Sequence, residues 1–169
     1  MTDISRVRSF APVIDAGARI LILGSMPGVK SLREQQYYAH PRNLFWTFIA
    51  EIFERRLPSS YRERLALLCS LKLALWDVAE ECERPGSLDS NIREVRANDI
   101  ASLIKDSASI QRIVFNGASA ASLFHRHQYR DNKAIFDRVE LIQLPSTSPA
   151  NASIPRAEKL RRWTQALLI

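Results

Sequence analysis

Residues 20–28, ILILGSMPG, place the strongest limit on how this chain folds. Four apolar residues, Ile20-Leu21-Ile22-Leu23, run without polar alternation into Gly24-Ser25-Met26-Pro27-Gly28. An apolar run this short fits a strand covered on both faces, as in a parallel sheet. Glycines at its carboxyl end mark the edge where open α/β sheets place ligands. Tyr37, Tyr38, His40 and Asn43 follow and bring aromatic and amide groups to that edge. Tandem tyrosines point to a ligand with a flat face.

The same grammar repeats along the chain. Strands are expected at Arg19–Leu23, Leu71–Trp76, Arg112–Phe115 and Val139–Leu144, each closed by turn chemistry at Gly24, Asp77, Asn116-Gly117 and Pro145. Amphipathic spacing predicts helices over Asn43–Arg56 and Ser59–Cys69, shorter ones over Ala97–Ser107 and Ala118–His125, and a last one starting near Pro155. In the last helix Leu160, Trp163, Leu167 and Leu168 share a face. Strand–helix alternation implies an α/β chain folded as a three-layer α/β/α sandwich. With 169 residues and no long linker, one domain over 1–169 is expected.

Charge and composition narrow the partners. The net charge is +6, and arginine dominates the cationic residues, a balance that favours polyanions. No apolar run approaches the ~20 residues of a membrane span. The amino-terminal segment lacks a signal-peptide apolar region. Cys69 and Cys82 are too few for a disulfide framework, and no Cys/His spacing fits a metal. The expectation is a cytoplasmic monomer without metal, cofactor or membrane attachment.

Each candidate site has a plainer reading. The Gly24–Gly28 turn matches neither the dinucleotide fingerprint nor the Walker loop, and Pro27 removes a backbone donor. Tyr37 and Tyr38 are either core aromatics or, for one of them, a stacking platform for an unstacked base. Asn43 precedes an amphipathic helix and is equally an N-cap. Asp77 either caps the following chain or reads a ligand from the pocket rim. The loop Pro145-Ser146-Thr147-Ser148-Pro149-Ala150 can bond phosphate oxygens without charge, or simply face solvent. No nucleophile elbow appears. His40, His125 and His127 show no metal spacing, and Glu80, Glu81 and Glu83 read as a solvated charged face. Arg55-Arg56 and Arg161-Arg162 read as exposed helix positions.

Taken in order, GSMPG, QYYAHPRNLFW, ALWDV with ERPGSLD, and LPSTSPA resemble the uracil-DNA glycosylase superfamily, closest to its hypoxanthine-DNA (DNA-deoxyinosine) glycosylase branch. The four motifs span residues 20–151. The resemblance implies a four-stranded parallel sheet between helices, DNA crossing its carboxyl edge, and a base flipped into a pocket there. It places Ser25 and Met26 in the water-positioning turn and Tyr38 under the extruded base. Gly24, Asp77 and Asn116 fall with it among the base-binding positions. Residues Pro145–Ala150 fall in the motif that contacts phosphates and wedges into the vacated space. Relatives carry an amide or an aspartate in the first turn; here Met26 stands there, and a thioether cannot orient water. The resemblance points to Asn43 as the replacement.

The implied activity is a monofunctional hydrolase of deaminated bases in base-excision repair, hypoxanthine first, with DNA as partner. No lysine occupies a nucleophile position, so no Schiff base is expected. An ionised Asp77 would accept a hydrogen bond from hypoxanthine N1–H, which adenine lacks. Alternatives are a uracil or xanthine preference, or a catalytically weak protein that recognises damaged DNA. A flavodoxin-like cofactor module is the remote third.

Overall fold

The run at residues 20–23 becomes a strand because its alternate side chains are covered on opposite sides. Leu21 and Leu23 join one buried cluster with Ala74, Ile113 and Phe115. Ile20 and Ile22 join a second with Leu75 and Val114. A period of two with both faces apolar is the signature of a central strand. The computed structural model describes residues 6–86 and 88–169.

The elements run β1 (Arg6–Arg8), β2 (Ile20–Gly24), α1 (Val29–Glu34), α2 (Phe45–Ile52), α3 (Tyr61–Ser70), β3 (Leu73–Asp77), β4 (Ala79–Glu83), β5 (Arg93–Ala97), α4 (Ile100–Asp106), β6 (Arg112–Asn116), α5 (Ala118–Phe124), α6 (Lys133–Phe136), β7 (Glu140–Leu144) and α7 (Arg156–Leu167). Strands β3-β2-β6-β7 form one four-stranded sheet, parallel throughout. Helices α2, α3 and α7 supply the cluster on one face; α4, α5 and α6 supply the other. The three-layer α/β/α sandwich is therefore present.

Boundaries differ from expectation in an informative way. Gly24, Asp77 and Asn116 are the last residues of their strands rather than the first of the turns, with Gly24 paired to Asp77 and Asn116 to Leu144. Leu71 and Lys72 close α3 instead of opening a strand, Lys72 with φ 62°. Helix α2 is shorter than Asn43–Arg56, because Glu54 takes φ 51° and Arg55 and Arg56 lie beyond its end. Leu168 caps α7 and is half exposed rather than part of its buried face.

A second sheet was not expected. Strands β1-β4-β5 pair antiparallel. Ala97 belongs to β5, and the helix predicted to start there begins at Ile100, capped by Asp99 Oδ1 accepting from Ser102 N–H at 3.0 Å. Glu80, Glu81 and Glu83 are not a free solvated face. They lie on β4 within 4 Å of Arg6, Arg8 or Arg96 on the flanking strands. Cross-strand ion pairs of this exposure contribute roughly 0.2–1 kcal/mol each.

Candidate active site

The chain passes from β2 to β3 on one side and then crosses to β6 on the other. That reversal opens a crevice beyond the carboxyl ends of β2 and β6. A cleft of about 890 Å³ occupies it. Every site residue singled out in the sequence lines this cleft, from Gly24, Ser25 and Met26 to Pro145–Ala150. What each side chain does there differs from residue to residue.

Asp77 lies on the floor, not the rim, at 3% exposure. A Cβ at Gly24 would stand 2.5 Å from Asp77 Oδ1 and 3.0 Å from the Tyr38 hydroxyl. Glycine is therefore required to seat both groups. Asp77 Oδ2 and Tyr38 Oη are buried without a hydrogen-bond partner among the described residues. Burial, reinforced by the nearby Asp89 charge and opposed by Arg84, pushes the Asp77 carboxyl up to about 7. Burial likewise raises the Tyr38 phenol, so it stays a neutral donor. Two unsatisfied polar atoms side by side in a cleft call for an external partner.

The two tyrosines divide their work through backbone geometry. Tyr37 is a core residue: its hydroxyl donates to the Ala11 carbonyl at 2.9 Å and its carbonyl accepts from Trp46 Nε1 at 2.9 Å. Tyr38 takes φ 52°, a left-handed conformation that strains an aromatic residue by roughly 1–3 kcal/mol. The strand-like alternation assumed from sequence does not apply at this kink. One face of the Tyr38 ring stacks on Phe45, with centroids 4.2 Å apart.

Asn43 performs the capping half of its two readings. Its Oδ1 accepts from Phe45 N–H at 3.0 Å, although Leu44, not Asn43, occupies the N-cap position of α2. Its Nδ2 has no partner among the described residues, and the side chain lines the cleft.

Met26 is a packing residue. It is 6% exposed and clusters with Ala79 and Cys82 of the second sheet, so its thioether serves the core. Ser25 Oγ donates to Asp89 Oδ1 at 2.9 Å. Arg84, 2% exposed, donates to the carbonyls of Met26, Pro27 and Gly86 and lies 3.9 Å from Asp89. Arg84 and Asp89 fasten the first turn. ERPGSLD was legible as a motif, but nothing in local spacing revealed a buried guanidinium.

Asn116 tethers the last loop. Its Nδ2 donates to Thr147 Oγ1 and its Oδ1 accepts from Thr147 N–H, both at 2.9 Å, leaving one amide hydrogen for other use. Trp163 Nε1 holds the Pro145 carbonyl at 2.9 Å, and Leu44 N–H holds the Thr147 carbonyl at 3.0 Å. The buried ammonium of Lys159 donates to the Asn151 carbonyl. Ser146 and Ser148 hydroxyls accept from backbone N–H groups two residues on, fixing the loop's curvature. No cluster of three or more His, Cys, Asp or Glu fit for a metal occurs among the described residues.

Known proteins resemble this chain in sequence and in fold. The curated hypoxanthine DNA glycosylase of Methanosarcina barkeri (strain Fusaro / DSM 804) is 42% identical over 112 residues, 65% of this chain and 70% of that protein. The hypoxanthine DNA glycosylase of Methanosarcina acetivorans is 38% identical over 114 residues, 67% of this chain and 72% of that one. A solution NMR structure from Methanosarcina acetivorans, provisionally described as a uracil DNA glycosylase, superposes with a TM-score of 0.82 at 31% identity. It covers 96% of this chain and 97% of its own. The uracil DNA glycosylase superfamily pattern matches residues 11–167, from the segment before β2 to the end of α7. The chain belongs to the uracil DNA glycosylase superfamily.

Proposed function

We propose that the cleft hydrolyses the N-glycosidic bond of a deaminated base in DNA, hypoxanthine foremost, in base-excision repair. The observation that carries this reading is the pair of buried floor atoms, Asp77 Oδ2 and Tyr38 Oη, with no partner among the described residues. Hypoxanthine presents an N1–H donor and the O6 and N7 acceptors. Ionised Asp77 accepts from N1–H, and burial keeps the Tyr38 phenol neutral beneath the base. Adenine, with an unprotonated N1, leaves Asp77 unsatisfied, and a site built around a hydrogen bond rejects strongly the analogue that lacks it.

The remaining residues then take roles. Tyr38 stacks on the extruded base with the ring face turned from Phe45. Asn43 Nδ2 donates to the attacking water, with Oδ1 pinned by Phe45 N–H. The C1′–N9 bond breaks, its electron pair leaves with the base, the water oxygen bonds C1′, and the proton the water sheds ends on the base, which departs as neutral hypoxanthine. The cation-like sugar is stabilised by neighbouring phosphates. The Ser146 and Ser148 hydroxyls donate to those phosphates, while buried Thr147 anchors the loop through Asn116. Met26 takes no chemical role, and Ser25 acts through Asp89 to hold the turn. The two curated relatives carry the hypoxanthine name, which favours that base over uracil or xanthine.

The test is incision of labelled duplexes carrying inosine, uracil or xanthine, followed by alkali. Inosine is expected to be cut fastest. Asn43→Ala is expected to lower the single-turnover rate on the order of 10²–10³-fold, the usual effect of removing one oriented donor. Full activity in Asn43→Ala would return that residue to capping alone.

A further inference from the structure

Flipping a base leaves a gap in the duplex, and proteins that unstack DNA insert apolar wedges such as Phe, Leu, Ile, Met or Pro. The loop expected to provide it, Pro145–Ala150, offers as apolar groups only the compact rings of Pro145 and Pro149 and the Ala150 methyl, none of which reaches as far as a leucine. On the opposite lip stands Leu88. It is 56% exposed, the most exposed large apolar side chain among the described residues, and it lines the cleft. More than half of its surface is open to solvent at the cleft.

Its mounting is stiff. Arg84 Nε donates to the Gly86 carbonyl at 3.2 Å on one side of it. Asp89 on the other side accepts from Ser25 Oγ at 2.9 Å and lies 3.9 Å from the buried Arg84 guanidinium. Asn91 N–H closes onto the Leu88 carbonyl at 3.0 Å, and Asn91 Nδ2 donates to the Pro85 carbonyl at 3.1 Å. The groups that fasten the first turn therefore also hold Gly86 ahead of the leucine and Asp89 after it.

We infer that Leu88 is the wedge that enters the DNA helix and occupies the space of the flipped nucleotide. The inference rests on the reading of the cleft as a base-flipping site. It assigns insertion to the segment between β4 and β5 and leaves the Pro145–Ala150 loop to phosphate contact alone. A single-stranded substrate has no gap to fill, so Leu88 should matter for duplex only.

The experiment compares wild type with Leu88→Ala and Leu88→Met on inosine in duplex and in single-stranded DNA, under single turnover. Leu88→Ala should lower the duplex-to-single-strand rate ratio on the order of tenfold, and Leu88→Met should restore most of it. Leu168→Ala, an exposed leucine remote from the cleft, serves as the control and should leave the ratio unchanged. A second readout does not depend on which base is cut: 2-aminopurine placed beside an abasic site, whose fluorescence reports unstacking on binding. Wild type should change that signal and Leu88→Ala should lose most of the change. An unchanged ratio with an unchanged fluorescence response in Leu88→Ala overturns the assignment. So does collapse of both signals in Pro149→Ala with Leu88→Ala intact. Should wild type cut no inosine, the fluorescence arm still decides on the wedge, while the substrate reading falls separately.

Discussion

At the scale of single residues, Asp77 shows how a site can set itself against stability. Its carboxyl sits near 7 in the fold, against 3.8 for an exposed carboxyl. The native state thus binds this proton more tightly than the unfolded chain. The contribution favours folding fully below about pH 4 and is lost as pH rises through 7. At 1.36 kcal/mol per unit, the penalty of the ionised form reaches at most about 4 kcal/mol. Asp77→Asn is therefore expected to melt higher than wild type at pH 8, with the difference closing toward pH 4; thermal unfolding across that range checks it. If N1–H is read by the ionised form, wild-type inosine cleavage should climb with pH through about 7, and Asp77→Asn should flatten that limb and lose selectivity over adenine. Sequence could place Asp77 at a strand end and offer two readings of it. It could not place the residue on the floor, because that depth comes from its pairing with Gly24 on a neighbouring strand. Tyr38 was legible as an aromatic at the edge, but its left-handed φ was not.

Among elements, the parallel sheet was readable because each strand is a buried apolar run whose code is local. The second sheet was not, because its strands are stabilised by partners far away in sequence. Arg6 and Arg8 meet Glu81, and Arg96 meets Glu80, and the apolar positions of RVR, AEECE and REVRA are too few and too short a run to announce strands. Helix α1, six residues long, is too short for periodicity to announce it. The join between β6 and α5 makes a prediction at this scale. Gly117 has φ 102°, and a Cβ there would lie 3.0 Å from Ser146 Cβ. Gly117→Ala should destabilise the protein by roughly 1–3 kcal/mol through backbone strain and push the Ser146 loop out of place. Urea denaturation gives the first quantity, and weaker binding of abasic duplex gives the second.

For the molecule as a whole, charge and topology act together. A net charge of +6 attracts DNA, and the strand-order reversal fixes the edge at which it is received. Arg42 stands exposed on the cleft lip with no ion pair among the described residues, unlike Arg162, which is bonded to Glu158. Arg42→Ala should weaken duplex binding regardless of base and reduce the slope of log affinity against log salt by about one, as measured by anisotropy titrations. No helix among the described residues is long and apolar enough to cross a membrane.

The contact between Gly24 and Asp77 also constrains how such a chain can change over evolutionary time. With the carboxylate in place, any side chain at 24 collides with it, so the first position stays closed to substitution while the second is kept. Loss of the acid removes the closer of the two contacts, leaving the Tyr38 hydroxyl at 3.0 Å, whereas the reverse order forces the buried carboxylate to move. Divergence toward a different nucleobase therefore has to begin on β3, and only afterwards reach the glycine turn.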